Sequence, residues 1–357
     1  MRRLPFMALG ILGLVTGLVA GVARMGWLNL TPPHTQWHGP LMVSGFLGTV
    51  ISLERAIATG KRWAYAAPVL TGVGALTLVG ILPWKLAAGL ILAGSVVATL
   101  TFVSLLRTHR SWSLVIMGAG AACWAASNAA WVLGAPLYKL VPAWQCFLAL
   151  TILGERLQLS RMVIVSRRAR PLFATIIGVI VIGAAAGMVA YDLGARVVGV
   201  GFVLATLWLA KYDMARRTVR ASGVPRFSAV CLLIGYGWLG VAGVLWVVFG
   251  GWVGVLRYDA VLHSFFLGFV MSMILGHAPV IFPTVLGITM RFHRGFYVPV
   301  ILLHATLAMR VLGDLIVWVP GWRYGGLSNA VAVVLFFVIV VTASRPARSQ
   351  APSADAR

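Results

Sequence analysis

Apolar residues run along this chain in blocks of about twenty, broken by short polar joints. Twelve such blocks are found, at 4–24, 37–58, 64–83, 86–106, 112–134, 142–163, 171–191, 194–212, 227–250, 258–283, 296–319 and 326–343. A helix of roughly 20 residues rises about 30 Å, the thickness of a bilayer's hydrocarbon core. No polar stretch between the blocks is long enough to build a soluble domain. The pattern therefore predicts an all-α polytopic membrane protein of about 12 transmembrane helices. Residues 1–343 form one transmembrane domain, and the polar, Pro/Ser/Ala-rich segment 344–357 is expected to be a disordered tail.

Composition agrees with that class. The chain of 357 residues is 61% hydrophobic and 10% charged, against about 25% charged in a soluble domain. A net charge of +22 would fit a nucleic-acid partner if it were concentrated on one surface. Instead it sorts by loop. Arg2 and Arg3, "ERAIATGKR" (54–62), "RTHR" (107–110), "SRRAR" (166–170), "ARRTVR" (215–220), "RFHR" (291–294) and the tail fall on one side, and only single Lys or Arg residues on the other. This is the positive-inside bias. It predicts a plasma or inner-membrane protein with both termini cytoplasmic, with the bilayer as partner and no nucleic acid. The opening "MRRLPF" followed by an apolar run has the shape of a secretory signal. The run is nevertheless read as the first span, because removing it leaves an odd count and a worse charge bias. Cys123, Cys146 and Cys231 all lie inside predicted spans, which excludes a disulfide framework and makes each a small packing residue.

Small residues set the expected packing. Gly13, Gly17 and Gly21 put a ridge of glycines on the first helix, suited to close approach of a neighbouring helix in the bundle. Prolines such as Pro32, Pro33, Pro68, Pro142 and Pro320 are expected near span ends, where a helix stops. Tryptophans such as Trp27, Trp37, Trp63 and Trp84 mark the bilayer interfaces.

Against this background, ionisable residues inside spans are costly and point to function. They are His38, Glu54, Glu155, Arg156, His263, His277, His304, Arg310 and Asp314. His38 opens the second span and His263 lies about five residues into the tenth; both spans run from outside to inside, so the two imidazoles share a depth near the outer face. Two histidines from different helices at one level can supply both axial ligands of a haem iron. Arg310, in the outer half of span eleven, and Arg323 are the cations available to the haem propionates, while Arg310 can also form an i,i+4 pair with Asp314. His277, fourteen residues beyond His263, lies about 21 Å deeper and within roughly 40° of the same helix face. With His304 it could ligate a second haem or a copper ion, or simply satisfy backbone groups freed by Pro279. Glu54 and Glu155 read as an ion-pair cluster with Arg55, Arg156 or Arg161 at the inner boundary, with a proton entrance as the alternative. His34, His109 and His293 fall in loops, His34 near the rim of the outer site.

Twelve spans with a histidine early in span two and another early in span ten resemble subunit I of the haem–copper oxidases, and more specifically the oxidase-like NnrS family. "HGPLM" (38–42) is similar to that family's span two, and the stretch from His263 to "IFP" (281–283) to its span ten. The resemblance implies a haem–copper oxidase subunit I-like bundle in which His38 and His263 are the axial ligands of a low-spin haem b. It also implies a link to nitric oxide metabolism. The departures are as informative. The position two before His263, which in oxidases holds the oxygen-reactive haem, is Val261, and spans six and seven contain no histidine for copper. Oxygen reduction of the oxidase kind is not expected. Gln145 and Cys146 in span six leave a copper–thiolate as the only copper alternative there.

The expected function is thus a membrane b-type haem protein with haem-binding residues His38, His263, Arg310 and Arg323 and metal ligands His38, His263, His277 and His304. Electron transfer is the economical role, since a bis-histidine iron has no open position. A quinone or a redox partner protein is the candidate partner. The alternative is a 12-helix secondary transporter without haem. That reading lacks the Asp-Arg-x-Gly-Arg loop pattern and paired broken helices, and gives no reason for His38 and His263 to share a depth. A purely structural subunit leaves four buried histidines without a role.

Overall fold

A computed structural model describes residues 3–30, 35–80, 83–160, 169–286 and 288–346. The expectations for His34, Arg161 and the tail 347–357 lie outside the described residues. Among the described residues, eleven helices are long and apolar enough to cross a membrane. In chain order, with one shorter helix included, the segments are α1 (Leu4–Arg24), α2 (His38–Thr59), α3 (Ala66–Val79), α4 (Trp84–Thr108), α5 (Trp112–Val132) and α6 (Leu137–Ser160). They continue with α7 (Ala169–Val189), α8 (Tyr191–Tyr212), α9 (Gly223–Phe249), α10 (Leu256–Pro283), α11 (Tyr297–Leu315) and α12 (Val319–Ala343). The protein is all-α and polytopic, as the apolar blocks predict.

The shorter helix is α3. Its 14 residues rise only about 21 Å. A 3-10 turn at Arg62–Tyr65 leads into it, so part of the apolar block at 64–83 is spent on the turn rather than on α-helix. The tail also departs from expectation at its start. Ser344–Pro346 forms a strand antiparallel to Ile288–Met290, and Arg291 N–H donates to the Ala343 carbonyl at 3.0 Å. A two-stranded clasp thereby ties the α10–α11 connection to the end of α12, which a polar tail sequence does not announce.

The helix ends follow local chemistry. Pro5 and Pro320 stand in the first turns of α1 and α12, where the absent N–H costs nothing. Gly60 closes α2 in the left-handed region, φ 66°, a conformation that glycine adopts without strain.

Consecutive helices pack as neighbours, and α1 returns to touch α12, closing the bundle. Three helices occupy its centre. Within their spanning windows α6 is 78% buried and α2 and α10 each 67%, against 50% or less in the others. The outer helices turn large aliphatic side chains outward, among them Ile182, Val248, Ile301 and Val341, forming the apolar surface that lipid would cover. Both histidine-bearing helices of the sequence argument are thus central, and α6 is the third.

The glycine ridge of α1 faces α2. A Cβ at Gly13 would fall 2.6 Å from the backbone of Gly45, one at Gly17 2.6 Å from Met42 Sδ, and one at Gly21 2.8 Å from the His38 ring. Small residues here bring α1 against α2 inside the bundle, as the packing reading of the ridge anticipates.

A bis-histidine cavity as candidate functional site

His38 begins α2, just after an interfacial turn. Its Nδ1 lies 2.7 Å from the Gly17 carbonyl of α1. A carbonyl only accepts, so Nδ1–H is the donor and the Nε2 lone pair is left unspent. The missing side chain at Gly21 is what lets the ring lie so close to α1.

His263 reaches the same state by a different route. Its Nδ1 is 3.0 Å from its own-helix carbonyl at Asp259 and 3.1 Å from Asp259 Oδ1. Both partners accept, so again Nδ1–H donates and Nε2 is spare. Asp259 is held in turn by Arg310 of α11 through two bonds, Nε to Oδ2 at 2.8 Å and Nη2 to Oδ1 at 2.9 Å. A carboxylate or carbonyl on the far nitrogen is the arrangement that orients a metal-binding imidazole and makes it a better ligand.

The two rings meet beside an apolar cavity between α2 and α10. Their centroids are 6.2 Å apart and their planes differ by 23°. Two imidazoles bound on opposite sides of one metal, with bonds of about 2.0 Å, have nitrogens roughly 4 Å apart and centroids roughly 6.3 Å apart. The observed spacing fits a shared metal. The walls fit an apolar disc: Val22, Met42, Phe46, Leu47, Leu262 and Phe266 line the cavity, and Arg310 is the one cation among its lining residues. The donor set and the apolar lining suit haem, whose remaining four iron ligands come from the macrocycle itself. Among the described residues no group of three or more His, Cys, Asp or Glu side chains converges to hold a metal ion unaided.

Both histidines sit beside the same backbone irregularity. In α2 residues Leu41–Gly48 are π-helical, three residues after His38; in α10 the π-helical stretch Ser264–Met271 starts directly after His263. Wide turns of this kind collect at functional sites.

The other sequence-derived residues are placed as follows. Arg310 does not make its salt bridge with Asp314 on its own helix; it crosses to Asp259, with Asp314 buried alongside. Arg310 also lies on the cavity wall. Arg323 lies with its guanidinium 4.8 Å from the Trp27 ring centre and donates to the Gly26 carbonyl at 3.3 Å; it is not among the residues lining the cavity.

His277 and His304 have separate surroundings. His277 donates from Nδ1 to the Met273 carbonyl at 2.7 Å, and its Nε2 is 3.5 Å from Arg156 Nη1. His304 has Nε2 3.3 Å from Ser272 Oγ and lies alongside Trp238. Ser272 and His277 are five residues apart on one helix, about 140° around it, so the two histidines address different faces of α10. The arrangement offers no shared chelate for an inner haem or copper.

Of the acidic residues, Glu54 and Glu155 are bridged by Arg55, at 2.9 and 2.5 Å, as the ion-pair reading has it. Arg156 goes elsewhere, to a bidentate pair with buried Asp213 at 2.9 and 3.1 Å. Gln145 accepts from Trp246 Nε1 at 2.8 Å, which commits its carbonyl to packing, and Cys146 lies beside Cys123.

Sequence reasoning missed Asp259 and Asp213 as site-forming residues. For Asp259 a signal existed: it stands four residues before His263, one helical turn away on the same face. Asp213 follows the end of α8 and is drawn in only by tertiary packing.

These features define an all-α polytopic membrane protein in which two oriented imidazoles, 6.2 Å apart, line one apolar interhelical cavity. The chain belongs to the family described as a domain of unknown function, DUF8744, matched over residues 3–345. No curated protein and no solved structure matches it.

Proposed function

We propose that the chain is a membrane b-type haem protein, with one haem b held axially by His38 and His263 and serving one-electron transfer. The observation that carries this reading is the histidine pair: ring centroids 6.2 Å apart, each Nδ1 committed to an acceptor, and each Nε2 left for a metal. Bound haem would supply an iron that cycles between ferric and ferrous states. The protein's part is to hold both imidazoles in the correct tautomer, to compensate charge with Arg310, and to keep water out with an apolar wall. With both axial positions filled, the iron has no open site, so the reading is electron transfer rather than oxygen reduction. Nitric oxide chemistry would require one histidine to leave.

In this reading the bundle is of the haem–copper oxidase subunit I kind, NnrS-like branch, in the plasma or inner membrane. The glutamate-bearing ends of α2 and α6 face the cytoplasm with both termini. The supports are the positions of the two histidines in helices two and ten, the centrality of those helices, and the loop charge bias.

The test is a dithionite-reduced minus oxidised visible spectrum of the purified protein beside His38→Ala and His263→Ala. Sharp α and Soret bands in the unaltered protein, lost or converted to five-coordinate spectra in both variants, are expected. A colourless folded protein from haem-replete cells would overturn the proposal and send the work to transport assays.

A further inference from the structure

A second cavity continues from the first along the same helices. On α2 the lining shifts from residues 38–47 to 46–54, and on α10 from 262–274 to 270–282. Phe46, Leu47, Val270 and Ile274 line both cavities, so only a single layer of side chains separates them. Three of those four belong to the π-helical stretches.

Polar groups gather in one part of this cavity, where Glu54, Glu155 and His277 line it, while Met7, Ile11, Ile281 and Phe337 make much of the rest apolar. The polar groups are mostly acceptors. His277 spends Nδ1–H on Met273, and Arg156 at 3.5 Å is at the long limit of a bond to Nε2. Arg55 donates to Oε1 of each glutamate. Nothing else the structure assigns to the mechanism uses these three side chains.

An occupant that suits this place is flat, lipid-soluble and carries hydroxyl donors at its head. We infer that the second cavity binds a membrane hydroquinone, whose hydroxyls donate to His277 Nε2 and a glutamate carboxylate. Its electrons pass through the shared wall toward the space between His38 and His263. Acceptors at the head favour the hydroxyl-bearing hydroquinone over the quinone, which has only carbonyls to offer.

The chemistry balances. Oxidation breaks two O–H bonds, turns both C–O bonds into carbonyls, and releases two protons and two electrons. The protons go to His277 and Glu155. With haem held by His38 and His263, the two electrons would leave one at a time by way of it to a one-electron metalloprotein acceptor. This electron path rests on the haem reading; the binding of the hydroquinone does not.

The test is therefore a binding measurement first. Heptyl-hydroxyquinoline N-oxide, a fluorescent hydroquinone analogue, is titrated into the purified full-length protein and displaced by decylubiquinol. Saturable binding is expected, weakened about tenfold or more in His277→Leu and in Glu155→Gln, and retained in His38→Ala. Ile274→Trp, which fills the shared wall without touching a polar group, should weaken it as well. Each variant is first shown to be monodisperse, so that loss of fold is not read as loss of binding. Absence of saturable binding, binding indifferent to all three variants, or equal displacement by decanoate would overturn the inference. Loss of the haem spectrum in no variant, with analogue binding intact, would overturn the haem reading while leaving this site standing. Haem reduction by decylubiquinol in stopped flow, slowed tenfold or more in Glu155→Gln with an unchanged spectrum, then tests the electron path; an unchanged rate refutes it.

Discussion

Asp259→Asn isolates the contribution of one carboxylate to both fold and site. The replacement has nearly the same volume, so no cavity is created. It removes the negative charge that Arg310 faces across α10 and α11, in a pair whose side chains are only 8% and 16% exposed. A surface pair would contribute a kcal/mol or less. Here the guanidinium loses its bidentate partner in a buried setting, which costs up to about 3–5 kcal/mol, reduced by the share that Asp314, buried alongside, takes over. The asparagine also turns a full acceptor beside His263 Nδ1 into a neutral one. Loss of such an outer partner lowers metal affinity by roughly 10–100-fold. The main-chain carbonyl of Asp259 at 3.0 Å remains, so the ring keeps its tautomer and the lower part of that range is expected. Haemin titration of apoprotein, followed by the Soret band, reads the second effect, and thermal unfolding in micelles reads the first. Adding Arg310→Met should recover most of the stability, since two apolar or neutral groups no longer bury a lone charge, but not the haem affinity. A single variant with unchanged unfolding and unchanged haem affinity would refute the reasoning.

Other consequences are open to test. Gly21→Ala should displace the His38 ring and cost about 1–3 kcal/mol, with a changed haem spectrum; Gly89→Ala, where a Cβ meets nothing within 4 Å, should leave unfolding and spectrum as they are. Asp213→Asn strands Arg156, in a pair 8% and 0% exposed, and should lower unfolding stability by about 3–5 kcal/mol without shifting the haem bands. Trp246→Phe leaves the Gln145 carbonyl, buried in α6, without its donor, costing about 1–3 kcal/mol; Trp246→Phe with Gln145→Met should cost less than the two singles combined, as judged by a double-mutant cycle of thermal unfolding.

The helices were legible because burial in lipid demands long apolar runs, and a run of twenty admits little but helix. The level shared by His38 and His263 was legible for the same reason, since depth follows from counting residues within a span. Direction around the helix was less so. The fourteen-residue interval from His263 to His277 suggests one face on a regular α-helix, but Ser264–Met271 is π-helical and resets the angle between them. Partner choice was least legible. Arg310 has Asp314 one turn away in sequence and Asp259 across the interface; the bidentate geometry to Asp259 decided it, and that depends on how α10 and α11 pack. The short strand at Ser344–Pro346 likewise exists only because its partner, Ile288–Met290, is near in space.

The paired π-helical stretches have a consequence for how this architecture tolerates insertion and deletion. Each closes its hydrogen bonds one residue further along than an α-helix does. Removing one residue from Leu41–Gly48 would leave a chain well able to close as regular α-helix. The span would survive, and its two ends would keep close to their present phase, because the wide turns already carry the surplus residue. The same deletion made in the regular helix of Thr49–Thr59, ahead of Glu54, would turn His38 by about 100° relative to Glu54 and point it away from His263. The wide stretches are thus where α2 and α10 can give up a residue, while the regular turns beside them cannot.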